Sequence, residues 1–239
     1  MILNILYHGL SCFEIEAKSA GGGTITLVAD PYNTKGTGLR LPRTLSANIL
    51  TISRDNDLHN NAEAVAKPEL VIDEPGEYEK GGVFVYGIPS KADGEKKDPS
   101  SHEASHSAKA SRDESKGHAK PSVICRYEFE DIVVAHLGDL THSLTDEEFS
   151  ALENVDILLL PVGGGEGLDY KKAVEIANQI EPRIIIPMHY AMPGLEVKLD
   201  PVEKFLKEYG AKSETMNKLK IAKKDLPEED TKVIVLEKA

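Results

Sequence analysis

Residues 155–187 read VDILLLPVGGGEGLDYKKAVEIANQIEPRIIIP. The apolar run at 155–160 has the length and branched-residue content of a strand rather than a helix. A glycine turn at 163–165 follows. Asp169 then opens the helix-period segment YKKAVEIANQI, and a second strand-like run stands at 183–187. Strand, turn, helix and strand in this order define an α/β body. Working outward, further strand-like segments are found at 2–6, 12–16, 24–29, 48–52, 70–72, 83–86, 122–128, 131–136 and 232–236. Thr145-Asp-Glu-Glu148 has the pattern of a capping box, in which hydroxyl and carboxylate satisfy each other's free backbone N–H groups. Asp200-Pro201 opens VEKFLKEY, which Gly210 stops. Strands come first and then alternate with helices, so packed sheets covered by helices are expected over residues 1–239 as a single domain.

The 239 residues carry 28 Lys+Arg against 40 Asp+Glu, a net charge of −12, and 40% are hydrophobic. This is enough apolar content for a substantial core. No run approaches the ~18 apolar residues of a membrane span, and the alternating start MILNILYHGLSCFEIE does not read as an export signal. The acidic balance, with no dense basic cluster, argues against nucleic-acid and membrane partners and leaves room for a small-molecule ligand. Oligomeric state is not legible. Two cysteines, Cys12 and Cys125, fall in apolar runs and read as buried free thiols, consistent with a cytoplasmic protein.

Residues 91–120 break the pattern. KADGEKKDPSSHEASHSAKASRDESKGHAK contains no Val, Ile, Leu, Met, Phe, Tyr or Cys. Burial cannot offset its ordering entropy, so it is expected to be a disordered polar loop inserted between two strands. Its three histidines, His102, His106 and His118, read as solvated residues of that loop rather than a metal site.

Outside the insert, His59, His136, His142 and His189 stand at or just beyond the ends of apolar runs, and Asp139 follows DIVVAHLG. Strand ends and the loops after them are where α/β scaffolds build sites. If the strands near 48, 131 and 183 are neighbours, His59, Asp139 and His189 converge at one sheet edge. Two imidazoles and a carboxylate suffice to hold Zn, Mn or Fe while leaving positions open for water and substrate. Gly163-Gly-Gly165 ahead of a helix reads as a tight turn, since Glu166 and Asp169 oppose a phosphate there. His8 reads as a structural histidine, and Cys12 has no His and Asn partners that would make it a nucleophile.

Five motifs, GLSCFEIE at 9–16, ADPY at 29–32, NILTISRDNDLHNN at 48–61, HLGD at 136–139 and IPMHY at 186–190, resemble in order and spacing those of the metallo-β-lactamase superfamily. The nearest likeness is to its branch of small metal-dependent hydrolases similar to ascorbate-6-phosphate lactonase. The resemblance implies an αββα sandwich with two metals at one edge of the two sheets. It also exposes departures. The family's H-x-H-x-D-H motif, placed after Ser53, falls on RDNDLH, so Arg54, Asn56 and Leu58 replace ligands and only His59 survives. A register anchored on Asp57 would keep that Asp and lose all three histidines; the first is preferred because Asn60-Asn61 then leads into a helix. The histidine expected after GIP at 87–89 is missing as well.

The resemblance thus implies that the first metal site is lost and that the second keeps His59, Asp139 and His189 of four ligands, enough for one Zn, Mn or Fe ion or for none. Arg54 would supply permanent positive charge beside the lost site, with Asp139 as its bidentate partner. His136 would orient the Asp139 loop through a ring N–H. The family's carboxylate that handles the proton corresponds to Leu58, and no catalytic residue can be named unless Asp55 or Asp57 substitutes. Two functions follow: a hydrolase-like protein with an eroded dinuclear site and weak or no activity, or a mononuclear metal-dependent hydrolase of a small ester, lactone or phosphate-bearing metabolite. Enzyme status is open between them.

Overall fold

A computed structural model of the chain describes residues 1–18, 22–90 and 122–239; the polar segment 91–120 and its three histidines lie outside them. The first half supplies β1 (Ile2–Gly9), β2 (Cys12–Lys18), β3 (Thr24–Ala29), β4 (Leu45–Ser46), β5 (Ile49–Thr51), β6 (Val65–Ala66) and β7 (Leu70–Ile72). Next come β8 (Gly76–Lys80), β9 (Val83–Ser90), β10 (Ser122–Phe129) and β11 (Ile132–His136). Helices then alternate with strands: α1 (Asp146–Ala151), β12 (Ile157–Pro161), α2 (Tyr170–Ile180), β13 (Ile184–Met188), α3 (Val202–Tyr209), β14 (Ser213–Met216), β15 (Leu219–Ala222) and β16 (Lys232–Leu236).

These form two main sheets, β15-β1-β2-β3-β5-β7 and β14-β16-β13-β12-β11-β10-β9-β8, with a small β4-β6 pair. Strands β11, β12, β13, β16 and β14 run parallel. Parallel strands need crossovers, which α1, α2 and α3 provide, and both faces are then covered. This explains why β12 and β13 are apolar throughout and buried at every residue. In the first sheet the period of two separates the faces. Phe13, Leu27 and Ile49 enter the core shared with the second sheet. Their neighbours Cys12, Val28 and Leu50 enter a second cluster with Tyr32, Leu39, Leu45 and Val65.

Local signals behave as expected at α1, where Thr145 and Glu148 complete both bonds of the capping box, and at α2, where Asp169 accepts from the Lys171 and Lys172 N–H groups. Gly210 ends α3 at φ +75. Two readings need correction. Helix α3 begins at Val202 with Pro201 as a cap that offers no side-chain acceptor, while Asp200 instead pairs with Lys204 at 2.7 Å. The helix expected after Asn60-Asn61 is a single 3-10 turn at Ala62–Ala64, so this side of the first sheet is covered chiefly by the apolar residues of segment 31–66. Among the described residues no helix is long and apolar enough to cross a membrane.

Candidate metal centre

The site is built at the sandwich edge by the five loops that follow β1, β3, β5, β11 and β13. The loop after β5 is anchored first. Asp30, in left-handed backbone at φ +45, accepts from the Ser53 N–H at 2.7 Å and from its hydroxyl. Asn61 N–H donates to the Pro31 carbonyl, and Val123 N–H to that of Ser53. Within the loop, Asn56 N–H bonds to Arg54 O and His59 N–H to Asn56 O, a tight turn that sends alternate side chains in opposite directions. Arg54, Asn56 and Leu58 are half-buried while Asp55 and Asp57 are exposed. Neither aspartate joins the site, and Asp55 is held outside by the Asn60 amide.

His59 is wholly buried, and its chemistry can be assigned. Asn56 Oδ1 accepts the Leu58 N–H at 2.9 Å, so this atom is the amide oxygen. The same oxygen lies 2.8 Å from His59 Nδ1, which must therefore carry the proton and donate. Nε2 is left as a bare lone pair, buried and without a hydrogen-bond partner. Burial, then the neighbouring histidines and Arg54, hold the imidazole well below its ordinary pKa, so it is neutral.

His189 follows β13 at φ +53 and faces His59 with parallel rings, centroids 5.5 Å apart and planes 3° apart. Its N–H bonds to Leu10 O, and its Nδ1 lies 3.0 Å from the buried Ser11 Oγ. Burial lowers its pKa as well. Asp139 follows Gly138, whose φ is +58 and whose missing Cβ would stand 2.5 Å from Ser53 Oγ, so only glycine brings the two loops this close. One ligand atom each from His59, Asp139 and His189 lie within 4.8 Å of one another. This is an incomplete cluster that can hold at most one ion. The orphaned Nε2 of His59 is the feature that fits a cation, because a ligand-ready lone pair is buried with nothing donating to it.

Opposing this, Arg54 Nη1 donates to Asp139 Oδ2 at 2.7 Å. The guanidinium makes one hydrogen bond rather than the bidentate pair expected, leaving it 29% exposed over a carboxylate that is 6% exposed. His136 touches the Asp139 loop, but through its acceptor nitrogen and not through the ring N–H expected from the sequence. Its Nε2–H donates to Ser11 O at 2.8 Å and its Nδ1 accepts the Gly138 N–H at 3.1 Å. Burial of the ring pushes its pKa down to about 4, against the opposing effect of its hydrogen bond to Ser11 O. The strands carrying the three residues are not neighbours in one sheet: β5 belongs to the first, while β11 and β13 flank β12 in the second.

Among the described residues the remaining histidines, His8 and His142, stay apart. His142 Nε2 faces both oxygens of buried Glu148, and buried His8 Nε2 faces Glu14. The turn at 163–165 is no phosphate cradle. A Cβ at Gly163 would stand 2.1 Å from the His189 carbonyl, and Asp169 already occupies the N–H groups of α2. Cys12 is buried, which raises its thiol pKa and leaves it inert. Sequence reasoning assigned no role to Ser11, Ser53 or Asp30, although each lies in a quoted motif. Burial raises the Asp30 carboxyl to about 8, a property that no sequence pattern reveals.

Comparison with known proteins supports the same architecture. Residues 4–189 match the model of the Beta-lactamase superfamily domain. A crystal structure from Thermotoga maritima, named a Zn-dependent hydrolase of the metallo-β-lactamase superfamily, superposes with a TM-score of 0.71 at 30% identity, covering 98% of each chain. A UPF0173 metal-dependent hydrolase of Thermoplasma acidophilum is 27% identical over 217 residues, 83% of this chain and 88% of the relative. A UPF0173 protein of Pyrococcus furiosus is 43% identical, but over 31% of this chain and 33% of its own length. The shared domain spans most of the described sandwich, and on that ground the chain belongs to the metallo-β-lactamase superfamily.

Proposed function

We propose that this chain is a superfamily member whose dinuclear centre has eroded, leaving a protein with weak or no hydrolytic activity. In this reading Arg54, Asn56 and Leu58 occupy former ligand positions, and His59, Asp139 and His189 remain. The observation that carries it is the 2.7 Å contact between Arg54 Nη1 and Asp139 Oδ2. A fixed cation already neutralises the carboxylate and repels a second one nearby. Half-buried Leu58 supplies no carboxylate for proton handling.

A second reading rests on the orphaned His59 Nε2. Should Arg54 withdraw, His59, Asp139 and His189 would hold one ion, which as a Lewis acid would polarise a substrate oxygen. Ser11 and Asn56 would hold the two imidazoles in orientation. The substrate would then be a small ester, lactone or phosphate-bearing metabolite, in keeping with the likeness to the branch around ascorbate-6-phosphate lactonase. Two free, buried cysteines support a reducing, cytoplasmic setting for either reading.

Elemental analysis of protein loaded separately with Zn, Mn and Fe tests the proposal. At most one ion per chain is expected. Two ions per chain would overturn it.

A further inference from the structure

The side chains beside the three-residue cluster differ in chemistry from the cluster itself. His59 Nε2, His189 and Asp139 offer electron pairs. Arg54 and Asn56, which flank them, offer N–H groups. Arg54 spends one of its five donors on Asp139; the other four have no hydrogen-bonding acceptor among the described residues. Asn56 has its oxygen fixed by the Leu58 N–H and His59 Nδ1, so the opposite end of the amide is Nδ2, and it too donates to no described residue. The Asn56 N–H to Arg54 O bond keeps the two residues in one turn.

A half-buried guanidinium and a half-buried carboxamide with spare donors suit an acceptor, and the planar fork of Arg suits one with two oxygens. The local charge permits it. Buried Asp30, 4.0 Å from His59 Nε2, is turned onto the Ser53 N–H and hydroxyl. Exposed Asp55 and Asp57 project from the opposite side of the turn. Asp139 remains as the one opposing carboxylate within the cluster, and it consumes a single donor.

We propose that Arg54 and Asn56 form an oxyanion-binding subsite for the phosphate or carboxylate of a small ligand, beside His59, Asp139 and His189. This deepens the eroded-centre reading and rests on it, since the subsite uses positions given up by metal ligands.

The test uses the full chain, freed of metal with chelator and then dialysed. Thermal melting is followed with inorganic phosphate and, separately, acetate, at constant ionic strength balanced with chloride. At least one of the two should raise Tm saturably, because a ligand bound only by the folded state stabilises it. Phosphate alone points to a phosphoryl group, acetate alone to a carboxylate, and both to a general oxyanion site. Two variants locate the effect. Arg54→Gln removes the charge. Asn56→Asp keeps an acceptor for Leu58 N–H and His59 Nδ1 while turning the spare donor into an acceptor. Each should weaken binding about tenfold, the loss of one charge-assisted or well-placed hydrogen bond. Circular dichroism verifies that both are folded. If neither anion moves the wild-type Tm, or if both variants bind like wild type, the subsite is refuted. The count of metal ions per chain is measured before chelation, so failure of the eroded-centre reading is recorded separately.

Discussion

His59 and His189 come from different sheets, yet their rings lie parallel within 3° at a centroid separation of 5.5 Å. Each Nδ1 is engaged by a polar atom of its surroundings, Asn56 Oδ1 for one and Ser11 Oγ for the other. The pair is therefore preorganised without any ion, and what limits cation binding is Asp139, already paired with Arg54.

Metal uptake should respond in opposite directions to changes on the two sides of that ion pair. His189→Ala removes a lone pair and is expected to lower Zn affinity by tenfold or more. Arg54→His with Asn56→His removes the resident charge and adds two imidazoles, and should raise the number of ions bound per chain. Equilibrium dialysis followed by elemental analysis measures both. Unchanged stoichiometry in the double variant would count against the motif register anchored on His59.

Ser11→Ala addresses the support of His189. Deleting the buried hydroxyl leaves Nδ1 without a partner, at a cost of about 1–3 kcal/mol in denaturant unfolding, together with about tenfold weaker metal binding. A variant as stable as wild type would mean that the hydroxyl does not hold the ring.

Gly138→Ala combines two penalties. The φ of +58 disfavours a side chain, and the new Cβ would stand 2.5 Å from Ser53 Oγ, so a loss of roughly 2–4 kcal/mol is expected. Gly164→Ala is the control. Its φ is +69 but nothing lies closer than 3.9 Å, so strain alone, about 1 kcal/mol, should be lost. Equal losses would show that loop contact is unimportant.

The pH dependence has a definite sign. His136 titrates near 4 in the folded chain against about 6.5 unfolded, so the unfolded state takes up protons first as the solution is acidified. Its contribution is complete above pH ~6.5 and declines by about 3 kcal/mol as pH falls through 4. Asp30 acts oppositely: its folded pKa of about 8 lies above the ordinary carboxylate range, so its contribution is greatest at low pH and is lost as pH rises through 8. Between pH ~4 and ~6.5 the two slopes oppose and nearly cancel, so urea unfolding of the wild type should be almost flat there and decline from ~6.5 to ~8. His136→Gln should uncover the decline due to Asp30 from pH ~4 upward, and Asp30→Asn the rise due to His136. An Asp30→Asn variant whose stability is flat from pH ~4 to ~6.5 would contradict the neutral, buried state of His136.

Residues with a strong local signal were legible. The apolar runs that became β12 and β13, the capping box of Thr145 and Glu148, and the C-terminal Gly210 depend on contacts within a few positions of themselves. Strands β8, β14 and β15 were not. All three lie at sheet edges and carry polar, partly exposed residues, so their pairing is dictated by a neighbour and not by their own pattern. At the site, His59, Asp139, His189, Arg54 and His136 could be named from strand ends and motif spacing.

The amino-acid order by itself determined that this would be an α/β sandwich with histidines and an aspartate at strand ends, because hydrophobic period and capping chemistry are local. Tertiary structure alone decided that Arg54 takes a single bond to Asp139, that Asn56 fixes the proton on His59, and that Asp55 and Asp57 point away. These outcomes depend on which loops of two different sheets meet at one edge. Burial then removes water as an alternative hydrogen-bond partner, so geometry dictates where each proton resides.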